Sequence, residues 1–304
     1  MPAPGVDVLR VALIGYGEVG GIFGAALAAA RTHSVTAYDI LVADAAWAAK
    51  ARARAHDGVA LASEARDAVA SADLVISAVT AAETASAAEA IAGACSPATF
   101  VLDVNSASPQ TKTRCAERVA SAGGRYVEAA VMSSVPPHGI RVPMLLGGPH
   151  AEALQPVLAQ LGFDAKVGAH AYGVVSAIKL CRSVMVKGME ALVIESLLTA
   201  RRYGVEREVL ASLAETFPGL DWERQASYFW RRVVQHGRRR AEEMREAVVT
   251  VGDAGSTPRM AAATAELQAW VAALSAAGTF EGAATDGGWR ALADRIARES
   301  DPGE

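Results

Sequence analysis

The chain has 304 residues, 52% of them hydrophobic and 20% charged, with a formal net charge of −4. That balance fits a soluble globular protein of about two domains, offers no broad basic field for nucleic acid, and holds no uncharged apolar run of the roughly 18 residues a membrane span needs. Three cysteines without a C-x-x-C, six histidines without metal-ligand spacing and an opening MPAPGVDVLR unlike a signal peptide lead us to expect reduced thiols, no metal site and a cytoplasmic setting.

The run Val11-Ala12-Leu13-Ile14 is continuously apolar, as a buried parallel strand requires. It breaks at Gly15-Tyr16-Gly17, and Glu18-Val19-Gly20 opens a helix that runs on to Leu27. The glycines at 15, 17 and 20 have G-x-G-x-x-G spacing. Gly15 permits the tight turn, Gly17 lets a pyrophosphate approach the backbone, and Gly20 lets helix and strand pack closely. The free N–H groups of the helix start add a partial positive charge for the phosphates. A second strand over 34–38 ends at Asp39, 19 residues beyond Gly20. An acid there accepts hydrogen bonds from the adenine ribose hydroxyls and repels a 2′-phosphate. No Arg follows within Ile40-Leu41-Val42-Ala43, so NAD is expected in preference to NADP.

Further along, helices are expected over 43–54, 63–70 and 83–92, with strands over 59–62, 73–79 and 99–104. The strand over 73–79 should point its carboxyl end, Val79-Thr80, at the cofactor, and the next ends in Asn105-Ser106, at the same edge. Ser108 reads as an N-cap with Pro109 at the first helical position. A strand over 125–131 leads into the rigid polar loop Met132-Ser133-Ser134-Val135-Pro136-Pro137-His138-Gly139, where His138 reads as a loop residue. A strand over 142–146, a helix over 150–161 and a strand over 163–167 complete the α/β part.

From 174 onward everything reads as helix: 174–203, mostly apolar and so expected to be buried, then 206–216, 222–234, 238–251, 258–274 and 288–298. The tail, 299–304, is expected to be mobile. We therefore expect an α/β Rossmann domain at 1–167 and an all-α domain at 168–304. The large apolar helical half suggests a homodimer. In His236-Gly237-Arg238-Arg239-Arg240 the charges read as the solvated start of a helix, balanced by Glu242, Glu243 and Glu246; an anion site is the alternative. Trp222, Tyr228, Phe229 and Trp230 read as helix packing.

A nicotinamide enzyme needs a group that moves a proton while the cofactor moves a hydride. Lys179 stands in an apolar setting, VVSAIKLC, where burial would bring its amine toward the working range. At about 100° per residue, Ser183 lies about 40° and Lys187 about 80° round the helix from Lys179, so all three can share a face. A lysine that snorkels from a core helix to water is the plain alternative.

The ordered segments GYGEVG, ADLVISAVT, LDVNSASP, EAAVMSS and GVVSAIKLCRS resemble the β-hydroxyacid dehydrogenase family, which includes 3-hydroxyisobutyrate and 6-phosphogluconate dehydrogenases. The similarity covers roughly residues 8–203, and the helical end, with HGRRRAEEMREAV, resembles a branch with its own C-terminal domain type. It implies a Rossmann domain, a long interdomain helix and a helical dimerisation domain. It also implies Lys179 as general acid/base after Gly173, and Val79, Thr80 and Ser106 beside the nicotinamide nucleotide. Two departures stand out: Met132-Ser133-Ser134 replaces Ser-Gly-Gly, and Ser183 replaces an Asn. Ser133 and Ser134 can still bind a carboxylate, with Ser183 assisting and Lys187 supplying a point charge.

The expected activity is NAD-dependent hydride transfer on a small β-hydroxy acid or its carbonyl. The alternatives are imine reduction, whose enzymes commonly carry Asp or Tyr at the lysine position, and a catalytically silent NAD-binding protein. The substrate itself cannot be named from these residues.

Overall fold

The computed structural model describes residues 9–30, 33–54, 58–283 and 288–299. The expected mobile tail therefore falls, apart from residue 299, outside the described residues. The chain divides into two compact units, Met1–Lys179 and Leu180–Glu304. The division falls 12 residues beyond the expected boundary at 167, because the last strand and the first turn of the long helix belong with the sheet.

In the first unit the elements are β1 (Leu9–Ile14), α1 (Glu18–Ala29), β2 (His33–Tyr38), a 3-10 turn (Ile40–Ala43), α2 (Ala45–Arg54), β3 (Val59–Leu61), α3 (Ala65–Val69), β4 (Leu74–Ser77), α4 (Thr84–Ala92), β5 (Phe100–Asp103), α5 (Pro109–Ser121), β6 (Arg125–Val131), α6 (Val135–His138), β7 (Met144–Gly147), α7 (Ala151–Gln160) and β8 (Ala165–Ala169). The stretch after β6, expected as a rigid polar loop, thus contains the one-turn helix α6 and leads into a 3-10 turn (Gly139–Arg141). The strands form one sheet in the order β3-β2-β1-β4-β5-β6-β7-β8. It is parallel through β6, antiparallel between β6 and β7, and parallel again between β7 and β8.

Alternation along the strands sorts the core into two layers. Val11, Leu13, Leu74, Ile76 and Leu102 face one side, with Phe23 and Leu27 of α1 and Leu154 and Leu158 of α7. Ala12, Ile14, Val75 and Val101 face the other, with Ala87 and Ile91 of α4 and Cys115, Ala116 and Val119 of α5. Burial on both faces explains why β1, β4 and β5 read as unbroken apolar runs.

α8 (Val174–Tyr203) starts in the first unit and runs into the second, which continues with α9 (Glu206–Thr216), α10 (Trp222–Asp253), α11 (Arg259–Ala276) and α12 (Gly288–Glu299). The helices expected over 222–234 and 238–251 are one helix. Gly237 does not break α10 but lets α11 approach: a Cβ there would lie 2.9 Å from the Gln268 carbonyl oxygen. The core of this unit holds Ile194, Leu197, Trp222, Phe229, Trp230, Val271 and Trp289, so the aromatic residues of α10 do serve helix packing, with Tyr228 on the exposed side. The expectation of a mostly buried α8 is corrected in part. Val174, Ile178, Met185 and Leu192 are exposed in the single chain, on one stripe of the helix. No helix among the described residues is long and apolar enough to cross a membrane.

Candidate active site

Each glycine of the first turn has a distinct physical reason. Gly15 has φ +93°, and its amide donates to the Tyr38 carbonyl at 2.8 Å. A Cβ on Gly15 would lie 2.4 Å from the Ala78 carbonyl oxygen, and one on Gly20 would lie 2.0 Å from the Gly15 carbonyl oxygen. Both positions are closed to any larger residue by backbone. A Cβ on Gly17 would meet nothing within 4 Å. Gly17 is also the N-cap of α1 and supplies no side-chain cap, so the amides of the first helical turn are left for an anion. Glu18 is exposed, Val19 is half-buried, and the Tyr16 ring is wholly buried, so Tyr16 offers its backbone to this turn.

Asp39 closes β2 with both oxygens engaged. Oδ2 accepts the Tyr16 amide at 2.8 Å, and Oδ1 accepts the Leu41 amide at 3.0 Å. The carboxylate locks β2 to the glycine turn, and each oxygen keeps a lone pair for a further donor. It is half-exposed.

A buried polar chain runs along the same edge of the sheet. Asn105, 3% exposed, accepts the Val79 amide through Oδ1 at 2.7 Å and donates through Nδ2 to Ser77 Oγ at 2.9 Å. Asn105 thus holds the β4 turn from within, while Val79 and Ser106 are half-buried and Thr80 is exposed. The Asn105 amide donates to Asp103 Oδ1 at 2.9 Å. Lys112 Nζ pairs with that oxygen at 2.7 Å, and the Tyr126 hydroxyl donates to Asp103 Oδ2 at 2.5 Å. Burial, with Asp103 close by, pushes the Tyr126 hydroxyl well above its ordinary range, so it stays a donor.

Next along the edge, Glu128 is fully buried on β6. Its Oε1 accepts the Gly173 amide at 2.7 Å and its Oε2 accepts the Ser176 hydroxyl. Sequence reasoning missed this network, yet its signals were present. Lys112 shares the buried face of Cys115, Ala116 and Val119 on α5, at i, i+3, i+4 and i+7, and Glu128 interrupts an apolar strand.

Lys179 ends this path, one turn beyond Ser176 on α8. It is half-buried. The apolar neighbours that suggested deep burial include Ile178, itself 43% exposed. In the loop after β6, Ser133 Oγ lies 3.2 Å from His138 Nε2, and Ser134 stands at the N-cap position of α6 without a side-chain capping bond. His138, expected as a loop residue, is the last residue of α6 and pairs with Ser133.

Ser183 and Lys187 lie in the second unit, both 6% exposed. Lys187 Nζ donates to Ser183 Oγ at 3.1 Å and pairs with Glu243 Oε2 at 2.7 Å. The expected point charge at Lys187 is thus already neutralised. In the basic segment, Arg238 and Arg239 make the expected i,i+4 pairs with Glu242 and Glu243 at 3.7 and 3.8 Å. Arg240 departs from both readings: it is 4% exposed and pairs with buried Glu190. It continues the buried series Trp230, Val233, Gly237, Arg240, Met244, a period that marks it as core-facing. Among the described residues no group of three His, Cys, Asp or Glu side chains is placed to hold a metal ion.

Residues 10–168 match the model of the NAD binding domain of 6-phosphogluconate dehydrogenase, and residues 200–271 match a domain of unknown function, DUF1932. Among solved structures, a conserved hypothetical protein from Sinorhizobium meliloti 1021 is 36% identical over 96% of this chain and 97% of its own, with a TM-score of 0.74. The conserved protein MTH1747, described as structurally similar to 3-hydroxyacid dehydrogenases, is 30% identical over 86% of this chain and 96% of its own, with a TM-score of 0.66. The 3-hydroxyisobutyrate dehydrogenase of Mycobacterium tuberculosis, solved with L-serine, shares the fold at 20% identity, over 95% of this chain and 99% of its own, with a TM-score of 0.64. None of the curated proteins matches the chain.

Proposed function

The chain belongs to the family of the NAD binding domain of 6-phosphogluconate dehydrogenase, and from that premise we propose an NAD(H)-dependent oxidoreductase acting on a small acid with a β-hydroxyl or the matching carbonyl. One observation carries this reading. The glycine turn, Asn105, Asp103, Glu128 and the first turn of α8 are linked by successive contacts along one edge of one sheet, so the dinucleotide cradle and Lys179 share a scaffold.

The open face at Gly17 and the uncapped start of α1 fit a pyrophosphate. Asp39 favours NAD over NADP, because a 2′-phosphate would meet a carboxylate. When bound, the nicotinamide supplies the hydride acceptor or donor. Lys179 takes the hydroxyl proton as the carbinol carbon gives up its hydride, and returns a proton to the carbonyl oxygen in reduction. Ser133 and Ser134 hold the substrate carboxylate as donors. The exposed apolar side chains of the helical unit, Met185, Leu192, Met260 and Trp270, support a homodimer formed through that unit; light scattering on the eluting protein measures it.

The test is a panel in two arms, NAD⁺ with short 3-hydroxy acids and NADH with cyclic imines, followed by nicotinamide absorbance. Oxidation of a 3-hydroxy acid is the expected result. Imine turnover alone would move the chain to the imine-reducing class, and tight NADH binding without turnover in either arm would make it a silent binder.

A further inference from the structure

The proton-transfer scheme leaves Glu128 without a role, although it is a fully buried acid in the middle of a strand. A carboxyl group in such a place is costly unless hydrogen-bonded. Its partners are both on one segment: the Gly173 amide, 2.7 Å from Oε1, and the Ser176 hydroxyl, at Oε2. These are the residue just before α8 and a residue of its first turn. The same turn is held by packing. Val175 is fully buried, and a Cβ added at either Gly147 or Gly168 would lie 2.9 Å from one of its methyl groups. Gly173 itself has φ +86° and sits against Pro109, 3.0 Å from where its own Cβ would be.

We propose that Glu128 is the positioning residue of the site: it clamps the first turn of α8 to β6 and so fixes where the amine of Lys179 stands. Lys179 lies six residues beyond Gly173, a rise of about 9 Å. A tilt of about 10° at the glycine would swing its Cα by about 1.5 Å, and a misplacement of about 1 Å is enough to cost on the order of 10²-fold in rate. An apolar residue at 128 would fill the space and leave a buried amide and a buried hydroxyl without acceptors. The functional consequence rests on Lys179 as the proton-transfer group; the clamp does not.

The test compares the NADH-bound wild type with Glu128→Ala, Glu128→Gln and Ser176→Ala by amide hydrogen exchange, and follows the titration of the Lys179 amine by NMR of the isotopically dimethylated protein. In Glu128→Ala the amides of 173–179 should exchange at least tenfold faster, with those of β1 and α1 unchanged, and the Lys179 titration should move. Glu128→Gln should rescue both, because its carboxamide can accept from Gly173 and donate to Ser176. Ser176→Ala should speed the same amides by a smaller factor, and it decides the matter if Glu128→Ala does not fold. Wild-type exchange at 173–179 in Ser176→Ala, a uniform increase across the sheet unit in Glu128→Ala, or a Lys179 titration unmoved by a loosened turn would each overturn the proposal. Neither readout needs turnover, so failure of the dehydrogenase reading would show separately, in the substrate panel.

Discussion

Gly17→Ala and Gly20→Ala should separate binding from folding, although the two positions are three residues apart. At Gly17 an added methyl meets nothing within 4 Å, and φ is −77°, outside the left-handed region that favours glycine. Ala is a poorer N-cap than Gly, which costs under about 1 kcal/mol. For a domain of this size that lowers the melting temperature by no more than about 2–4 °C. The same methyl stands where the pyrophosphate has to approach, and NADH should bind at least tenfold more weakly, a loss of about 1.4 kcal/mol or more. At Gly20 the methyl would lie 2.0 Å from a backbone oxygen, which the strand–helix junction can relieve only by moving. Overpacking of this kind costs about 1–3 kcal/mol or more, or a melting temperature lower by at least about 3–9 °C. Thermal unfolding and NADH titration by fluorescence read the two effects. Wild-type NADH affinity in Gly17→Ala would refute the assignment of this turn to the cofactor, and wild-type melting in Gly20→Ala would refute the close approach.

Three further outcomes follow from the site. Asp39→Asn should weaken NADH and lower the ratio of NADPH to NADH dissociation constants at least tenfold; an unchanged ratio would remove Asp39 from cofactor choice. Lys112→Met leaves Asp103 buried without its cation and should cost about 3–5 kcal/mol in denaturant unfolding; a loss under about 1 kcal/mol would contradict the buried pair. Burial above all holds the Glu128 carboxyl above its ordinary value of about 4.5, against the lowering effects of Ser176, Lys112 and the Gly173 amide. A group whose folded value is the higher stabilises fully below the unfolded value and loses that contribution as pH rises through the folded one. Gln does not titrate, so the stability of Glu128→Gln relative to wild type should rise with pH from about 4.5 upward, as unfolding curves across that range would show; a constant difference would contradict the shift.

The sheet was legible because its strands are buried on both faces and its glycines are tied to backbone geometry. Val11 to Ile14 and Leu74 to Ser77 can hardly be anything else, and Gly15 and Gly20 each carry a steric reason that their spacing predicts, while Gly17 faces open space. The long helices were legible in period and, except for α10, in extent. Gly237 reads as a break until its close approach to α11 is seen. What stayed hidden was pairing between distant residues. Glu128 meets Ser176 across 48 positions, and Arg240 meets Glu190 across 50. Periodicity can say that such a residue is buried but not which partner satisfies it. Lys187 shows the converse: its charge was evident, and only its contact with Glu243 reveals that it is spent within the helical unit.

The most direct measurement is turnover and NADH affinity of Lys179→Ala, on the 3-hydroxy acid that best reduces NAD⁺ with the wild type. If the amine moves the proton, the variant should lose about 10²–10⁴-fold in kcat while NADH binds as before. Near wild-type turnover would contradict the mechanism, whatever the cofactor site does.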